Sequence, residues 1–274
     1  MTADPKKFKG ILSAGGILDR IVAKRLERLE QAKPRTSFSE LVDACAKAEI
    51  THRSFSDAIS RPDQTNIIAE VKHRSPSKGV IRENFNHLEI AREYAAAGAA
   101  AMSVLTEEDF FAGSLNYLQE IHAQTDVPLL RKDFIIDEYQ IYEACLSGAS
   151  AILLITAILD DELLAAFIKR AAELNLDALV EVHTENEMRR AIQADAKIIG
   201  VNNRDLTTFN VDLETSIRLA ALAPTNAALV SESGITTRED IQKLKAAGYD
   251  AFLIGEHFMR QKDIGNSLKA LFDD

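Results

Sequence analysis

The chain has 274 residues, 46% of them hydrophobic and 27% charged, which is enough for one large buried core or two small ones. Its 42 acidic against 32 basic side chains give a formal charge of −10, which argues against a general nucleic-acid or membrane-surface binder and leaves room only for a local basic pocket. No run approaches the roughly 18 apolar residues of a membrane span, the start is a poor secretion signal, and Cys45 and Cys145 form neither a metal spacing nor a disulfide framework, so a reduced cytoplasmic setting is expected.

Residues 1–65 read as a helical extension. Leu18, Ile21, Val22, Leu26 and Leu29 recur at spacings of three and four, an amphipathic stripe. A second short helix is predicted over 38–48 with Ser37 as its N-cap. The polar stretch 60–66, with Pro62, then breaks the pattern.

From residue 67 the rhythm changes. Short apolar runs at 67–71, 101–105, 128–130, 151–155, 178–182, 197–201, 227–230 and 251–254 predict strands. They alternate with helical patterns at 88–97, 115–123, 138–146, 161–174, 185–194, 213–222, 238–247 and 264–272. Strands this uniformly apolar belong to a parallel sheet covered on both faces. Gly98, Gly148 and Gly248 stand where helices end, the usual C-cap position. Eight consecutive βα units predict the α/β class: a (β/α)8 TIM barrel with a helical N-terminal extension, all within one domain spanning 1–274 and with no second barrel fused to it. The competing architecture is an open doubly wound sheet. That fold should carry a phosphate-binding glycine loop, yet no G-x-G-x-x-G follows Val71 and no G-x-x-x-x-G-K-[ST] occurs.

In such barrels the chemistry sits where strands end, and here those ends are polar. Glu70 and Lys72 close the first strand on one face by period-two alternation. Lys132 ends the third, Glu181 the fifth, Asn202 and Arg204 the sixth, and Glu232 and Ser233 the seventh. Any one Lys–Glu pair could be an ion pair that merely closes the core. Convergence of all of them is costly burial without purpose, so a catalytic mouth is the better reading. Ser231–Gly234 after the seventh strand, and Gly255-Glu256 opening a short helical piece after the eighth, lie where this fold repeatedly binds phosphate. Phe111 and Phe134 suit an apolar pocket beside the lysines or ordinary packing. Metal readings are weak: the six histidines form no ligand spacing, and His183, in alternation with Glu181, reads as packing.

The blocks Glu70-Val71-Lys72-His73-Arg74-Ser75-Pro76-Ser77, Ser103-Val104-Leu105-Thr106-Glu107 and Leu130-Arg131-Lys132-Asp133-Phe134 resemble the indole-3-glycerol phosphate synthase family. So do Leu179-Val180-Glu181-Val182, Ile199-Gly200-Val201-Asn202-Asn203-Arg204-Asp205-Leu206 and Val230-Ser231-Glu232-Ser233-Gly234. The resemblance covers nearly the whole chain, extension included. It implies conversion of 1-(2-carboxyphenylamino)-1-deoxyribulose 5-phosphate to indole-3-glycerol phosphate, carbon dioxide and water in tryptophan biosynthesis, without metal or organic cofactor. Carried over by position, Lys132 is the general acid and Glu181 the general base. Lys72 holds the substrate carboxylate and is a second candidate proton donor, and Glu70 and Asn202 orient these groups. The anthranilate ring would rest among Phe111, Phe134, Leu153 and Leu206, near Arg204. Phosphate would meet Ser75, Ser233, Gly234 and the Gly255-Glu256 backbone, beside Glu232.

Two positions depart from the common family pattern. His73 is expected to affect only rim packing. Glu256 stands where many relatives have serine, and its carboxylate is expected to turn away from the phosphate. The rival readings are a Schiff-base aldolase using Lys132 as nucleophile and a phosphate-ligand binding protein without catalysis. The only partner implied is a phosphorylated small molecule, and a monomer suffices for such a barrel.

Overall fold

The computed structural model describes residues 9–48 and 53–272. Residues 1–8, where a secretion signal would begin, lie outside them. Eight parallel strands close into a barrel: β1 (Asn66–Val71), β2 (Ala101–Leu105), β3 (Leu129–Lys132), β4 (Ala151–Ile155), β5 (Asp177–Val182), β6 (Ile198–Asn202), β7 (Ala228–Glu232) and β8 (Ala251–Ile254). Each strand pairs with its sequence neighbour, and β8 closes on β1 with Asn66 opposite Ala251. The register sets Glu70 beside Ser103, Leu105 beside Lys132, Ile155 beside Glu181, and Asn202 beside Glu232. The polar strand ends therefore rise to one rim.

β3 and β7 run on through Lys132 and Glu232, two residues past the apolar runs of 128–130 and 227–230. The ladder is made by backbone groups, so a strand continues wherever its N–H and C=O groups stay paired, whatever the side chains.

The covering helices are α4 (His87–Ala97), α5 (Leu115–His122), α6 (Glu138–Leu146), α7 (Asp161–Glu173), α8 (Glu185–Gln193), α9 (Glu214–Ala220), α10 (Arg238–Ala246) and α12 (Ile264–Lys269), with a single-turn α11 (Glu256–Met259) directly after β8. Side chains of Asn86, Ser114, Asp137, Asp160, Thr184, Thr237 and Asp263 accept from the first-turn amides and start seven of these helices cleanly.

Before the barrel come α1 (Gly16–Ala32), α2 (Phe38–Lys47) and a third helix that the periodicity did not reveal, α3 (Phe55–Ile59). The predicted stripe of α1 is buried, and Ser37 caps α2 through a reciprocal capping box with Glu40. α2 packs on α6, where Phe38 meets Tyr142 edge-on at 5.2 Å. α3 sits by the opposite end of the barrel: Phe55 and Ile59 are fully buried, and the Ser56 amide donates to Asp177 at the start of β5. Leu12 donates to the Ile158 carbonyl at 2.9 Å, which fastens the extension to the loop after β4.

Candidate active site

At the C-terminal rim a cavity of about 350 Å³ opens, the size of a small-ligand pocket. Every expected site residue lines it: Glu70, Lys72, Ser75, Phe111, Lys132, Phe134, Leu153, Glu181, Asn202, Arg204, Leu206, Glu232, Ser233, Gly234, Gly255 and Glu256.

Its floor is an ionic cluster. Lys132 Nζ lies 3.1 Å from Glu232 Oε2 and 3.5 Å from Glu181 Oε2. Lys72 is ion-paired with Glu70. Burial opposes the charge of Lys132, but Glu232, Glu181 and Glu70 outweigh it and hold the ammonium well above its ordinary pKa. Burial also acts on Glu232, and because Lys132 cannot fully compensate and Glu181 stands near, its carboxyl is pushed up to about 7. Glu70 goes the other way: Lys72 and Lys132 overcome its burial and keep it below the usual carboxylate range.

Two glycines make room for these carboxylates. A Cβ at Gly200 in β6 would strike the Glu232 carboxylate, and one at Gly255 would strike that of Glu70. Both are required by close approach.

The walls follow from local hydrogen bonds. Glu107, at the end of β2, accepts from the amides of Asp109, Phe110 and Phe111 at 2.8–3.0 Å and so shapes the loop that carries Phe111. Phe111 and Phe134 stand 6.0 Å apart between ring centres, an aromatic wall beside Lys132. Asn202 Oδ1 accepts from the Arg204 amide at 3.0 Å. At the far side Ser233 adopts a left-handed backbone, φ 68°, followed by Gly234 at φ 84°. Ser75 Oγ is buried and has no hydrogen-bond partner among the described residues.

Glu256 does line the pocket, but its carboxylate is taken up by Arg204 at 3.3 Å and Arg260 at 3.0 Å. His73 stacks on Phe85 with ring centres 4.8 Å apart.

A family model described as indole-3-glycerol phosphate synthase matches residues 18–271. The chain belongs to that family. Proteins named indole-3-glycerol phosphate synthase from Ruminiclostridium cellulolyticum and Endomicrobium trichonymphae are each 48% identical to it. The first alignment covers 93% of this chain and 98% of the relative, the second 94% and 100%. Among solved structures, KGPDC from Streptococcus mutans aligns with a TM-score of 0.59 at 11% identity, covering 76% of this chain and 96% of that one. Thiamine phosphate pyrophosphorylase from Pyrococcus furiosus aligns at 0.56 and 16% identity, over 76% and 93%. At such identities these two share the barrel alone.

Sequence reasoning missed part of the pocket. Ile17, Leu18 and Ile21 of α1 reach over the rim, and Phe209 and Arg260 complete it. The α1 stripe was legible as apolar, but nothing in its period says that the barrel mouth is what it covers. His183, read as packing, stands within 3.5 Å of Glu181.

Proposed function

We propose a division of labour among these residues for the indole-3-glycerol phosphate synthase reaction of this family. The observation that carries it is Lys132, an ammonium held between two carboxylates at the floor of a pocket whose mouth offers a second lysine. The substrate, 1-(2-carboxyphenylamino)-1-deoxyribulose 5-phosphate, lays its anthranilate ring among Phe111, Phe134, Leu153 and Leu206. Lys72 holds the ring carboxylate, with Glu70 fixing the lysine. The ring carbon bearing that carboxylate attacks the ketone carbon while Lys132 gives its proton to the ketone oxygen. Carbon dioxide then leaves, its bonding pair returning to the ring. The hydroxyl departs as water on taking a second proton, given by Lys72, and Glu181 takes the proton whose loss makes the indole aromatic. Positioned proton transfers of this kind contribute about 10²–10⁴ each in rate. Asn202 supports the turn to Arg204, and Ser75, Ser233, Gly234 and the Gly255-Glu256 backbone meet the phosphate.

An amine held in its charged form carries the proton that ring closure needs, although the same carboxylates make it a weaker acid than a free lysine. It is a poor Schiff-base nucleophile, since imine formation needs the neutral amine. This favours the synthase chemistry over the aldolase reading. Free Cys45 and Cys145 support a reducing cytoplasmic setting. Among the described residues no helix is long and apolar enough to cross a membrane. One domain working as a monomer is the simplest assembly, because side chains of a single chain line the whole pocket.

The test is a fluorescence assay for indole-3-glycerol phosphate with purified protein, the carboxyphenylamino-deoxyribulose phosphate and a chelator. Turnover is expected, and Ser233→Ala should raise KM with kcat nearly unchanged, because its contact is to a group that does not react. A keto-phosphate adduct on Lys132 trapped by borohydride would overturn the assignment.

A further inference from the structure

Behind Glu181, away from the cavity floor, stands a titratable group that the chemistry above does not use. His183 follows β5 directly, and alternation sends its side chain the same way as that of Glu181. Its Nε2 lies 3.5 Å from Glu181 Oε1, while Lys132 Nζ lies 3.5 Å from the other oxygen, Oε2. Its Nδ1 faces Glu187 Oε2 of α8 at 3.4 Å, and that same oxygen accepts from the His183 amide at 2.7 Å. Nε2 itself is buried and makes no hydrogen bond among the described residues. The base thus has a cation at one oxygen and an imidazole, oriented by its own carboxylate, at the other.

We propose that His183 is a positioning residue for Glu181: its imidazolium, 3.5 Å from Oε1, holds that oxygen by charge so that Oε2 faces Lys132 and the substrate, and its protonation sets the pH range in which the base works. The inference rests on Glu181 acting as the base. An imidazole backed by a carboxylate is a recurrent way to orient a working group. An imidazolium behind Glu181 favours the ionised carboxylate and so extends activity toward acid pH. The charged groups facing the ring are Glu181 on β5, Glu187 on α8 and Glu232 on β7, with Asp205 in the loop after β6 also feeling its charge and Lys132 standing beyond Glu181. Burial opposes protonation of the ring, but the three glutamates outweigh it and hold His183 above its ordinary pKa.

Two readouts test this. An NMR titration of the native protein should find the His183 imidazole above about 6.5, and in Glu181→Gln it should titrate lower by about half a pH unit or more. In kinetics, His183→Gln keeps an N–H donor without the titration. It should hold kcat within about tenfold and leave KM nearly unchanged, while the acid limb of kcat moves up by about half a pH unit. His183→Leu, with no donor, should lose more kcat than His183→Gln at equal KM. An imidazole pKa indifferent to Glu181→Gln, or acid limbs that superimpose on the native one, overturns the proposal. Full turnover by Glu181→Gln would instead sink the base assignment. The titration reads the pairing without catalysis, so the two failures are distinguishable.

Discussion

β3 separates two buried ionic networks, one on each face, and they are built to different rules. On the outer face Asp133 is completely buried and satisfied on both oxygens. Oδ1 meets Arg25 at 2.8 Å and the Phe134 amide at 2.8 Å; Oδ2 meets the Thr106 hydroxyl at 2.6 Å and Arg131 at 3.1 Å. Arg131 also donates to the Gln140 carbonyl at 2.7 Å and to Glu143 at 3.2 Å. On the inner face three glutamates, Glu70, Glu181 and Glu232, share Lys72 and Lys132, and Glu232 Oε1 finds no hydrogen-bond partner among the described residues. The outer network, in which Arg25 also meets Glu108 at 3.0 Å, ties α1 and α6 to the barrel. The inner one centres on Glu232, whose carboxyl is pushed by burial up to about 7 and so toward keeping its proton, and it faces a cavity. Lys132, the last residue of β3, and Asp133, the first beyond it, thus belong to chemistry and to architecture respectively.

The sharpest way to break that contrast is to remove one member from each side. Lys132→Met should lower kcat by about 10²–10⁴-fold in the fluorescence assay while a phosphate-bearing product analogue still binds. Asp133→Ala should act on stability, because it removes the fully buried carboxylate shared by two buried guanidinium groups, at a cost of about 3–5 kcal/mol read as a lowered urea midpoint. If Lys132→Met were the less stable and Asp133→Ala the less active, the division would be wrong.

The two networks should also respond oppositely to pH. Burial opposes the Asp133 charge, but Arg25 and Arg131 outweigh it and its pKa is depressed. Its contribution is therefore present above the unfolded value near 4 and lost as pH falls through the folded one. Glu232, pushed up to about 7, has the reverse sign. Its contribution is complete below the unfolded value near 4.3 and is lost as pH rises toward 7, on the order of 4 kcal/mol at most. Glu232→Gln should flatten that decline, so its Tm between pH 5 and 7 should vary less than the native one. An unchanged slope would place the labile proton elsewhere.

Much of this was legible in the chain. Runs of three to five apolar residues alternating with capped helical periods specify the barrel, because each element carries its own local signal. Glu70, Lys132, Glu181 and Glu232 were legible for the opposite reason: charge at the end of an apolar strand breaks the pattern. What stayed hidden depends on contacts distant in sequence. Arg25 reads as one polar residue on an amphipathic helix, yet it is buried against Asp133, more than a hundred positions away. The short α3 lacks the length for a period to show. His183 was visible in alternation, but only the fold brings Glu187 round to its other side.

Glu256 gives the smallest effect and the finest test of the rim. On the proposed placement, a phosphate at Ser233 and Gly255 would lie beside Arg204 and Arg260, which Glu256 engages at 3.3 and 3.0 Å. Its carboxylate therefore competes with the substrate for the same guanidinium groups and repels the same anion. Such partly exposed pairs are worth about 0–1 kcal/mol, so Glu256→Gln should lower KM by no more than about fivefold and leave kcat alone. A raised KM would show that the carboxylate serves chiefly to aim the two arginines, and Arg260→Gln would then raise KM as well. A lowered KM would mean that the rim holds phosphate less tightly than its cations allow, which favours release of a product that keeps the same phosphate.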